Sequence, residues 1–278
     1  MTAKVYTSQT EAIGSMTGKD IGELLNEAER RLAAEANLIR LESGTVVFVG
    51  DTHGDVEATE RVIRKHLKPG NTVVFLGDYV DRGPASMENI NFLLQHKVDH
   101  PDSLFLLMGN HEGDAIMSFQ PADFWERLGA GLRRRYGEVL SQLPLALSAP
   151  NGIIALHGAL PDVPDLEAVD RIKPGDSEWH QMTWGDWQDG GGENLGTDLY
   201  TGRPQFGREW FDTIMSRLGK HVLIRSHQPT APLTMYDKRC LTIFTSSAYG
   251  HYVAERTIAL VDLTKEVRSA DDVNLEVI

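Results

Sequence analysis

The chain contains a single cysteine, Cys240, so it cannot form an intrachain disulfide bond. Nothing in the sequence therefore indicates an oxidising compartment. Cys240 begins the apolar run Cys240-Leu241-Thr242-Ile243-Phe244, which is typical of a buried strand. We interpret this cysteine as a small core residue rather than as a nucleophile.

Long apolar runs and an excess of basic charge are also missing. No stretch approaches the roughly 20 apolar residues that a membrane helix needs, and residues 1–19 lack the basic and apolar regions of a signal peptide. The 27 basic residues are outnumbered by 40 acidic ones, which disfavours nucleic-acid binding through a basic surface. We expect a cytoplasmic protein that binds neither membrane nor nucleic acid. The sequence does not indicate an oligomeric state.

The length and the composition predict one folded domain. A chain of 278 residues, of which 41% are hydrophobic, is long enough to bury a full core. We expect residues 1–18 to be flexible and residues 19–278 to form a single catalytic domain. Asp20 is a candidate N-cap of an amphipathic helix that ends near Leu38.

The first half of the chain alternates strand and helix signals. Apolar, mostly β-branched runs predict strands at Thr45–Val49, Thr72–Leu76 and Ser103–Met108. Helical spacing connects them over Asp55–His66 and Pro84–His96. This order predicts a parallel sheet with helices on its faces, and such sheets bind ligands at the carboxyl ends of their strands.

The second half has a different pattern. Helical spacing over Pro121–Leu140 is followed by two short strands, Leu145–Leu147 and Ile153–Leu156, which predict an antiparallel hairpin. Residues 161–206 are rich in Pro, Gly, Asp and Trp, and they predict long functional loops. Three tryptophans would either line a groove or anchor those loops: Trp179, Trp184 and Trp187. We predict an α/β fold with two sheets.

Three polar blocks follow the predicted strands of the first half. They are Gly50-Asp51-Thr52-His53-Gly54-Asp55, Gly77-Asp78-Tyr79-Val80-Asp81-Arg82-Gly83 and Gly109-Asn110-His111-Glu112. Because parallel strands end at the same edge of a sheet, we expect these blocks to lie close together. They hold enough Asp, His and Asn to contribute to a two-metal hydrolytic site.

Two further blocks place a histidine directly after a strand of the second half. They are Leu156-His157-Gly158 and Arg225-Ser226-His227-Gln228. A mixed set of carboxylate, amide and imidazole ligands suits Mn, Fe or Zn better than Ca. A single block is equally consistent with turn chemistry, but five blocks in order favour a metal site.

The five blocks, in this order, resemble the phosphoprotein phosphatase family of serine/threonine phosphatases within the calcineurin-like metallophosphoesterase superfamily. The resemblance covers roughly residues 20–263. It implies two mixed β-sheets that pack as a sandwich flanked by helices. The blocks His157-Gly158-Ala159 and Met182-Thr183-Trp184-Gly185-Asp186 depart from the usual family pattern and indicate a bacterial or archaeal type.

The resemblance implies a dinuclear metal centre. Asp51 and His53 would bind the first metal, and Asp78 would bridge both metals. The second metal would be completed by Asn110, His157 and His227. We expect two divalent ions, with Mn²⁺ favoured and Fe or Zn as alternatives.

The resemblance also implies residues that act on the substrate. His111 and Asp81 would form the acid pair that protonates the leaving group. Arg82 and Asn110 would bind phosphate oxygens. A second phosphate-binding arginine would be Arg203, with Arg208 as an alternative, and Tyr249 would lie over the metals. Asp186 is a candidate groove residue.

The function implied is hydrolysis of phosphoserine and phosphothreonine on proteins or peptides by direct attack of a metal-bound hydroxide, with phosphotyrosine left open. One alternative is a diadenosine-polyphosphate hydrolase of the same superfamily, whose phosphate leaving group needs less help from an acid such as the pair of His111 and Asp81. Another alternative is a non-catalytic scaffold that binds phosphoproteins.

Overall fold

A computed structural model describes residues 16–253 and 255–278. Within these ranges the α-helices are α1 (Gly18–Leu32), α2 (Val56–His66), α3 (Ser86–Asp99), α4 (Asp123–Arg127), α5 (Ala130–Leu140), α6 (Ser177–Trp184) and α7 (Arg208–Arg217). Short 3-10 turns lie at His111–Gly113, Leu166–Arg171, Ser247–Tyr249 and Ala270–Asp272.

The strands form three sheets in the described part of the chain. They are β1 (Leu38–Arg40), β2 (Thr45–Val49), β3 (Asn71–Phe75), β4 (Leu104–Leu106), β5 (Ala146–Ser148), β6 (Ile153–Leu156), β7 (Asp186–Trp187), β8 (Asn194–Thr197), β9 (Pro204–Phe206), β10 (Val222–Arg225), β11 (Thr234–Met235), β12 (Cys240–Thr242), β13 (Thr257–Asp262) and β14 (Asn274–Val277).

The first sheet has the order β14-β13-β2-β3-β4. Strands β2, β3 and β4 are parallel and are connected by α2 and α3, as the alternation of the sequence predicts. β13 closes one side of this parallel unit by pairing antiparallel with β2. The carboxyl ends of β2, β3 and β4 therefore lie along one edge of the sheet.

The second sheet has the order β1-β5-β6-β10-β12-β11. β5 and β6 form the antiparallel hairpin that the sequence predicts. β10 lies parallel to both β6 and β12, so β6 and β10 also end at a common edge. β1 was not predicted, because three residues carry too little periodicity to define a strand.

The two large sheets pack against each other as a sandwich, so the predicted fold class is confirmed. One buried apolar cluster draws residues from both sheets, including Phe48 and Val74 from the first and Leu147 and Ile224 from the second. The alternate residues of β2, such as Val47, belong to a second cluster under the helices. This alternation follows from the two-residue repeat of a strand, and each fully buried side chain contributes about 1.5–3 kcal/mol.

Several local predictions require correction. Thr17, not Asp20, is the N-cap of α1, and Asp20 closes a capping box by accepting the Thr17 N–H. The helical pattern over 121–140 is split into α4 and α5. The segment 161–206 is not only loop, because it contains α6 and the three-stranded sheet β7-β9-β8. These strands are too short for their periodicity to be visible.

The predicted flexible N-terminus falls mainly on residues 1–15, which lie outside the described residues. Thr17 and Gly18 belong to the ordered start of α1. Among the described helices, none combines the length and the apolar character that a membrane crossing requires.

Candidate active site

The ends of five strands bring the predicted metal ligands to one buried place. The ligands follow β2, β3, β4, β6 and β10, and each is at most 2% exposed: Asp51, His53, Asp78, Asn110, His157 and His227. In the first sheet, Asp51 and His53 follow β2, Asp78 follows β3 and Asn110 follows β4. In the second sheet, His157 follows β6 and His227 follows β10. The sandwich therefore joins two halves of the site that are far apart in sequence.

Asp78 lies at the centre of this cluster. Its Oδ2 atom is 3.3 Å from Nε2 of His157 and 3.6 Å from Nε2 of His53. Its Oδ1 atom accepts a hydrogen bond of 3.0 Å from the backbone N–H of His111. One oxygen is thus fixed by the backbone, and the other faces imidazoles on both sides.

A second group of donor atoms surrounds His157. Its Nε2 atom lies 3.2 Å from Oδ1 of Asn110 and 3.1 Å from Nδ1 of His227. Asp78, His157 and His227 together offer ligand atoms close enough to hold one metal ion. The group formed by His53, Asp78 and His111 is similarly close.

Each of the three histidines among the predicted ligands has its other ring nitrogen against an oxygen. Nδ1 of His53 is 2.8 Å from the carbonyl of Val80, and Nδ1 of His157 is 2.9 Å from the carbonyl of Leu76. Nε2 of His227 lies 3.3 Å from Oδ1 of Asp186. The carbonyl partners of His53 and His157 orient these rings and hold the proton on the far nitrogen, whereas Nε2 of His227 has no hydrogen-bond partner among the described residues.

The surroundings of the Asp51 carboxylate indicate that the site is suited to a cation. Its Oδ2 atom is buried and has no hydrogen-bond partner among the described residues, and it lies 3.5 Å from Nε2 of His53. Its Oδ1 atom accepts the backbone N–H of His227 at 3.2 Å. A buried carboxylate oxygen without a partner is costly. The mixed donor set and this oxygen fit divalent cations of the Mn, Fe or Zn type.

The electrostatics of the site also favour a cation. Burial opposes a charge on His53, but Asp51 and Asp78 outweigh it and raise the pKa of His53 to about 9. Burial likewise opposes the charge of Asp78, yet the surrounding histidines keep the pKa of Asp78 well below its usual range. The carboxylates therefore draw positive charge into the cluster.

The backbone of the site is strained where its side chains converge. Five of the eight described non-glycine residues with positive φ angles lie in the polar blocks, with φ between 42° and 69°: His53, Asp78, Asp81, Arg82 and His227. The other three, Tyr236, Asp237 and Lys238, form the turn between β11 and β12. The left-handed region costs free energy for such residues and persists only where the surrounding fold enforces it. The strain thus marks the same strand ends that the polar blocks occupy.

Gly77 and Gly109 let two of these loops cross. A Cβ atom on Gly77 would lie 2.4 Å from the backbone nitrogen of Gly109, and Gly77 also has a φ of +109°. A Cβ atom on Gly109 would lie 2.2 Å from Oδ1 of Asp78. Only glycine fits at either position, which explains why both blocks begin with it.

Glu112 binds these two loops together. Its carboxylate accepts the backbone N–H groups of Asp78 and Tyr79, both at 2.8 Å, and that of Gly109 at 3.0 Å. Burial and the charge of Asp78 raise the pKa of Glu112 to about 8, against the opposing effect of these N–H groups. Glu112 belongs to the third polar block, but its role was not predicted from the sequence.

His111 and Asp81 form a close pair beside the cluster. Nδ1 of His111 lies 2.6 Å from Oδ2 of Asp81, and the other oxygen of Asp81 accepts the backbone N–H of Phe124 at 2.7 Å. Nε2 of His111 points toward the site, 4.0 Å from Oδ2 of Asp78. Burial lowers the pKa of His111, while Asp78 and Asp81 oppose this effect.

A cavity of about 470 Å³ opens beside this pair. Its lining includes four residues that the sequence singled out: Arg82, Asn110, His111 and Arg203. Trp184 lines it too, whereas Trp179 and Trp187 are buried anchors. The cavity therefore presents two guanidinium groups and an imidazole to one space.

The two candidate arginines occupy different places. Arg203 lines the cavity and lies 3.5 Å from Oδ1 of Asp186, which in turn faces His227. Arg208 lies on α7 and pairs with Asp237 and Asp212. Arg203 is thus the arginine that the fold brings to the site.

Tyr249 lies on the 3-10 turn that follows β12, beside the first half of the site. Its hydroxyl is 3.2 Å from Nε2 of His53, and the two rings meet edge to face with centroids 5.2 Å apart. The position agrees with the predicted location over the metal ligands.

Three aromatic residues at the cavity were not found from the sequence. The ring of Phe119 packs edge to face against His111 with centroids 4.7 Å apart, and His180 and Tyr200 line the same space. None lies in a recognisable block. The one available signal was the presence of aromatic residues in polar, glycine-rich segments around the site.

Residues 44–231 of the chain match the calcineurin-like phosphoesterase family. The match contains all five polar blocks and covers more than half of the chain. The protein therefore belongs to the calcineurin-like phosphoesterases, the class that its sandwich fold and its histidine and carboxylate cluster define.

Within this class the chain is similar to serine/threonine-protein phosphatases. A protein of Encephalitozoon cuniculi named as a probable serine/threonine-protein phosphatase is 28% identical over 84% of this chain and 54% of its own length. Serine/threonine-protein phosphatase T of Saccharomyces cerevisiae is 26% identical over 83% of this chain and 48% of its own length. The chain thus spans about half the length of these curated relatives.

The fold is also shared with a solved structure. A protein serine/threonine phosphatase from Saccharomyces cerevisiae superposes with a TM-score of 0.76, covering 95% of this chain and 90% of the other. The two sequences are 21% identical, so the likeness concerns the fold.

Proposed function

We propose that the protein is a metal-dependent phosphatase that hydrolyses phosphoserine and phosphothreonine on cytoplasmic proteins. The observation that carries the proposal is the buried pair of His111 and Asp81, because His111 lines a cavity that Arg82 and Arg203 also line. A phosphomonoester has an alkoxide leaving group, which needs a proton, and a phosphate group, which needs cationic donors.

The proposed metal ligands are Asp51, His53 and Asp78 for one cation and Asp78, Asn110, His157 and His227 for the other. We propose Mn²⁺ as the native ion. When bound, two such cations lower the pKa of water and stabilise the charge that develops on the phosphoryl group. The buried Oδ2 of Asp51 and the fixed ring orientations of His53 and His157 support this assignment.

Arg82 and Arg203 would bind the phosphate oxygens of the substrate, and Asn110 would support them from the side of the ligand cluster. A guanidinium offers several N–H donors in one plane, which suits two oxygens of a phosphate. Both arginines line the same cavity, which supports their assignment to one phosphate. We assign Tyr249 to the same task because its hydroxyl lies beside His53.

Nε2 of His111 would carry the proton that is donated to the leaving group. Its Nδ1 atom faces the carboxylate of Asp81, which fixes the ring and stabilises the charged imidazolium. Asp81 is itself held by the backbone N–H of Phe124. Asp81 is therefore proposed as a positioning residue and His111 as the residue that meets the substrate.

The catalytic unit is proposed to span residues 19–278, since β1 near the start of this range pairs with β5 in the second sheet and β14 near its end pairs with β13 in the first. Its partners would be phosphorylated proteins or peptides.

The test compares substrates on protein stripped of metal and then reloaded with Mn²⁺, Fe²⁺, Zn²⁺ or Mg²⁺. We expect turnover of peptides that carry phosphoserine or phosphothreonine, with Mn²⁺ the most effective ion. Much faster cleavage of diadenosine tetraphosphate would instead identify a phosphoanhydride hydrolase. Binding of phosphopeptide without turnover by any loaded form would identify a scaffold.

A further inference from the structure

An exposed apolar tip lies on the hairpin of β8 and β9. The loop of this hairpin carries Leu199 and Tyr200, which are 96% and 98% exposed. The other exposed large apolar residues in the described ranges are between 37% and 66% exposed. Two adjacent apolar side chains lying almost wholly in water are candidates for a contact surface, because their burial would be favourable.

The tip is ordered by its own hydrogen bonds. The carboxylate of Asp198 accepts the backbone N–H groups of Tyr200 at 3.0 Å and Thr201 at 2.7 Å, and the hydroxyl of Thr201 at 2.9 Å. The N–H of Gly202 returns to the carbonyl of Asp198 at 2.9 Å. The backbone of the loop is therefore preformed, which reduces the entropic cost of binding.

The tip is continuous with the catalytic cavity. Tyr200 and Thr201 line the same cavity as Arg82 and His111. Arg203 directly follows the loop and lines that cavity as well. A chain whose phosphate lies between Arg82 and Arg203 can leave the cavity past Tyr200, and Leu199 is the next residue of the loop.

We propose that Leu199 and Tyr200 bind an apolar residue next to the phosphoresidue of an extended protein substrate, and thereby select among substrates. This inference rests on the proposed phosphatase function. The continuity of the tip with the cavity favours the substrate as the occupant over a second copy of the chain. The tip supplies apolar contact area, while the arginines supply the contacts to phosphate.

The test uses two phosphoserine peptides that are identical except for the residues on either side of the phosphoserine, which are leucine in one and glycine in the other. We expect Mn²⁺-loaded protein to prefer the leucine peptide about tenfold in kcat/KM, equivalent to about 1.4 kcal/mol. The double variant Leu199→Ala/Tyr200→Ala should bring this ratio close to one.

Tyr252→Ala is the matched control. Tyr252 is another exposed tyrosine, 66% exposed, and it lines a different cavity. This variant should keep the wild-type ratio. Because both tip residues project into water, the double variant should retain its melting temperature, which separates loss of selection from loss of the fold.

Three outcomes would overturn the inference: no preference in the wild type, a preference that survives in the double variant, or an equal loss in Tyr252→Ala. A change in oligomeric state of the double variant with an unchanged ratio would assign the tip to contacts between copies.

N-acetyl phosphoserine amide, which lacks flanking residues, separates the inference about the tip from the proposed phosphatase function. If the wild type hydrolyses it without any peptide preference, only the inference about the tip fails; if no phosphomonoester is hydrolysed, the proposed function fails.

Discussion

Oδ2 of Asp81 lies 2.6 Å from Nδ1 of His111, on the far side of the ring from the ligand cluster. This contact fixes which nitrogen of His111 faces the cavity. Proton donation from Nε2 therefore depends on a residue that does not itself reach the substrate. His111 thus meets the leaving group, and Asp81 orients the ring of His111.

His111→Asn should lower kcat on a phosphoserine peptide by at least about 100-fold, because the alkoxide then leaves without a proton. The loss on p-nitrophenyl phosphate should be much smaller, since p-nitrophenolate is a stable leaving group. Asp81→Asn should show the same dependence on the leaving group with a smaller loss. Equal losses on both substrates would remove His111 from proton transfer.

Binding of Mn²⁺ to the metal-free protein should release a proton. The pKa of His53 is about 9 in the metal-free site, so at pH 7 the ring is protonated and Nε2 is unavailable as a ligand. Affinity should therefore rise with pH up to about 9, by up to tenfold per pH unit for one proton. Calorimetry in two buffers of different ionisation enthalpy measures the released proton, and a pH-independent affinity would contradict the assignment of His53.

Arg203→Ala should lower kcat/KM on phosphopeptides by about 10- to 100-fold, the range expected for loss of a charged hydrogen bond of about 1.5–3 kcal/mol. Arg208→Ala is the matched control, because Arg208 pairs with Asp237 away from the cavity. Its kcat/KM should stay within about twofold of the wild type. A larger effect at Arg208 than at Arg203 would reverse the assignment.

Glu112→Ala should destabilise the protein by about 3 kcal/mol or more, since three buried backbone N–H groups would lose their acceptor. Glu112→Gln keeps one acceptor oxygen and should lose less. Urea denaturation of the metal-free protein gives both free energies of unfolding. Glu138→Gln, a change at an exposed residue of α5, serves as the control. Unfolding free energies that match the wild type would show that Glu112 does not hold the two loops together.

The parallel unit of β2, β3 and β4 could be predicted from the sequence because its signals are local, whereas β14 and the antiparallel pairing of β13 with β2 were not predicted. The β-branched run Thr45–Val49 and the helical spacing of Asp55–His66 depend only on neighbouring residues, and their alternation leaves few topologies. The short strands β1, β7 and β9 were missed for the same reason. Two or three residues carry no measurable period, and such strands form because distant partners pair with them.

The sequence by itself determined the order of the ligand blocks, the glycines that begin the first three, and thus the class of the protein. Each block is a strand end, and the meeting place of the first three follows from a parallel sheet. The packing of the second sheet on the first brings His157 and His227 to the same place, and this was decided by the tertiary structure. Only the tertiary structure decided that Arg203 rather than Arg208 reaches the cavity, that Asp186 faces His227, and that Tyr200 stands at the rim. These positions lie in a long segment without periodicity, where the path of the chain depends on contacts with distant residues.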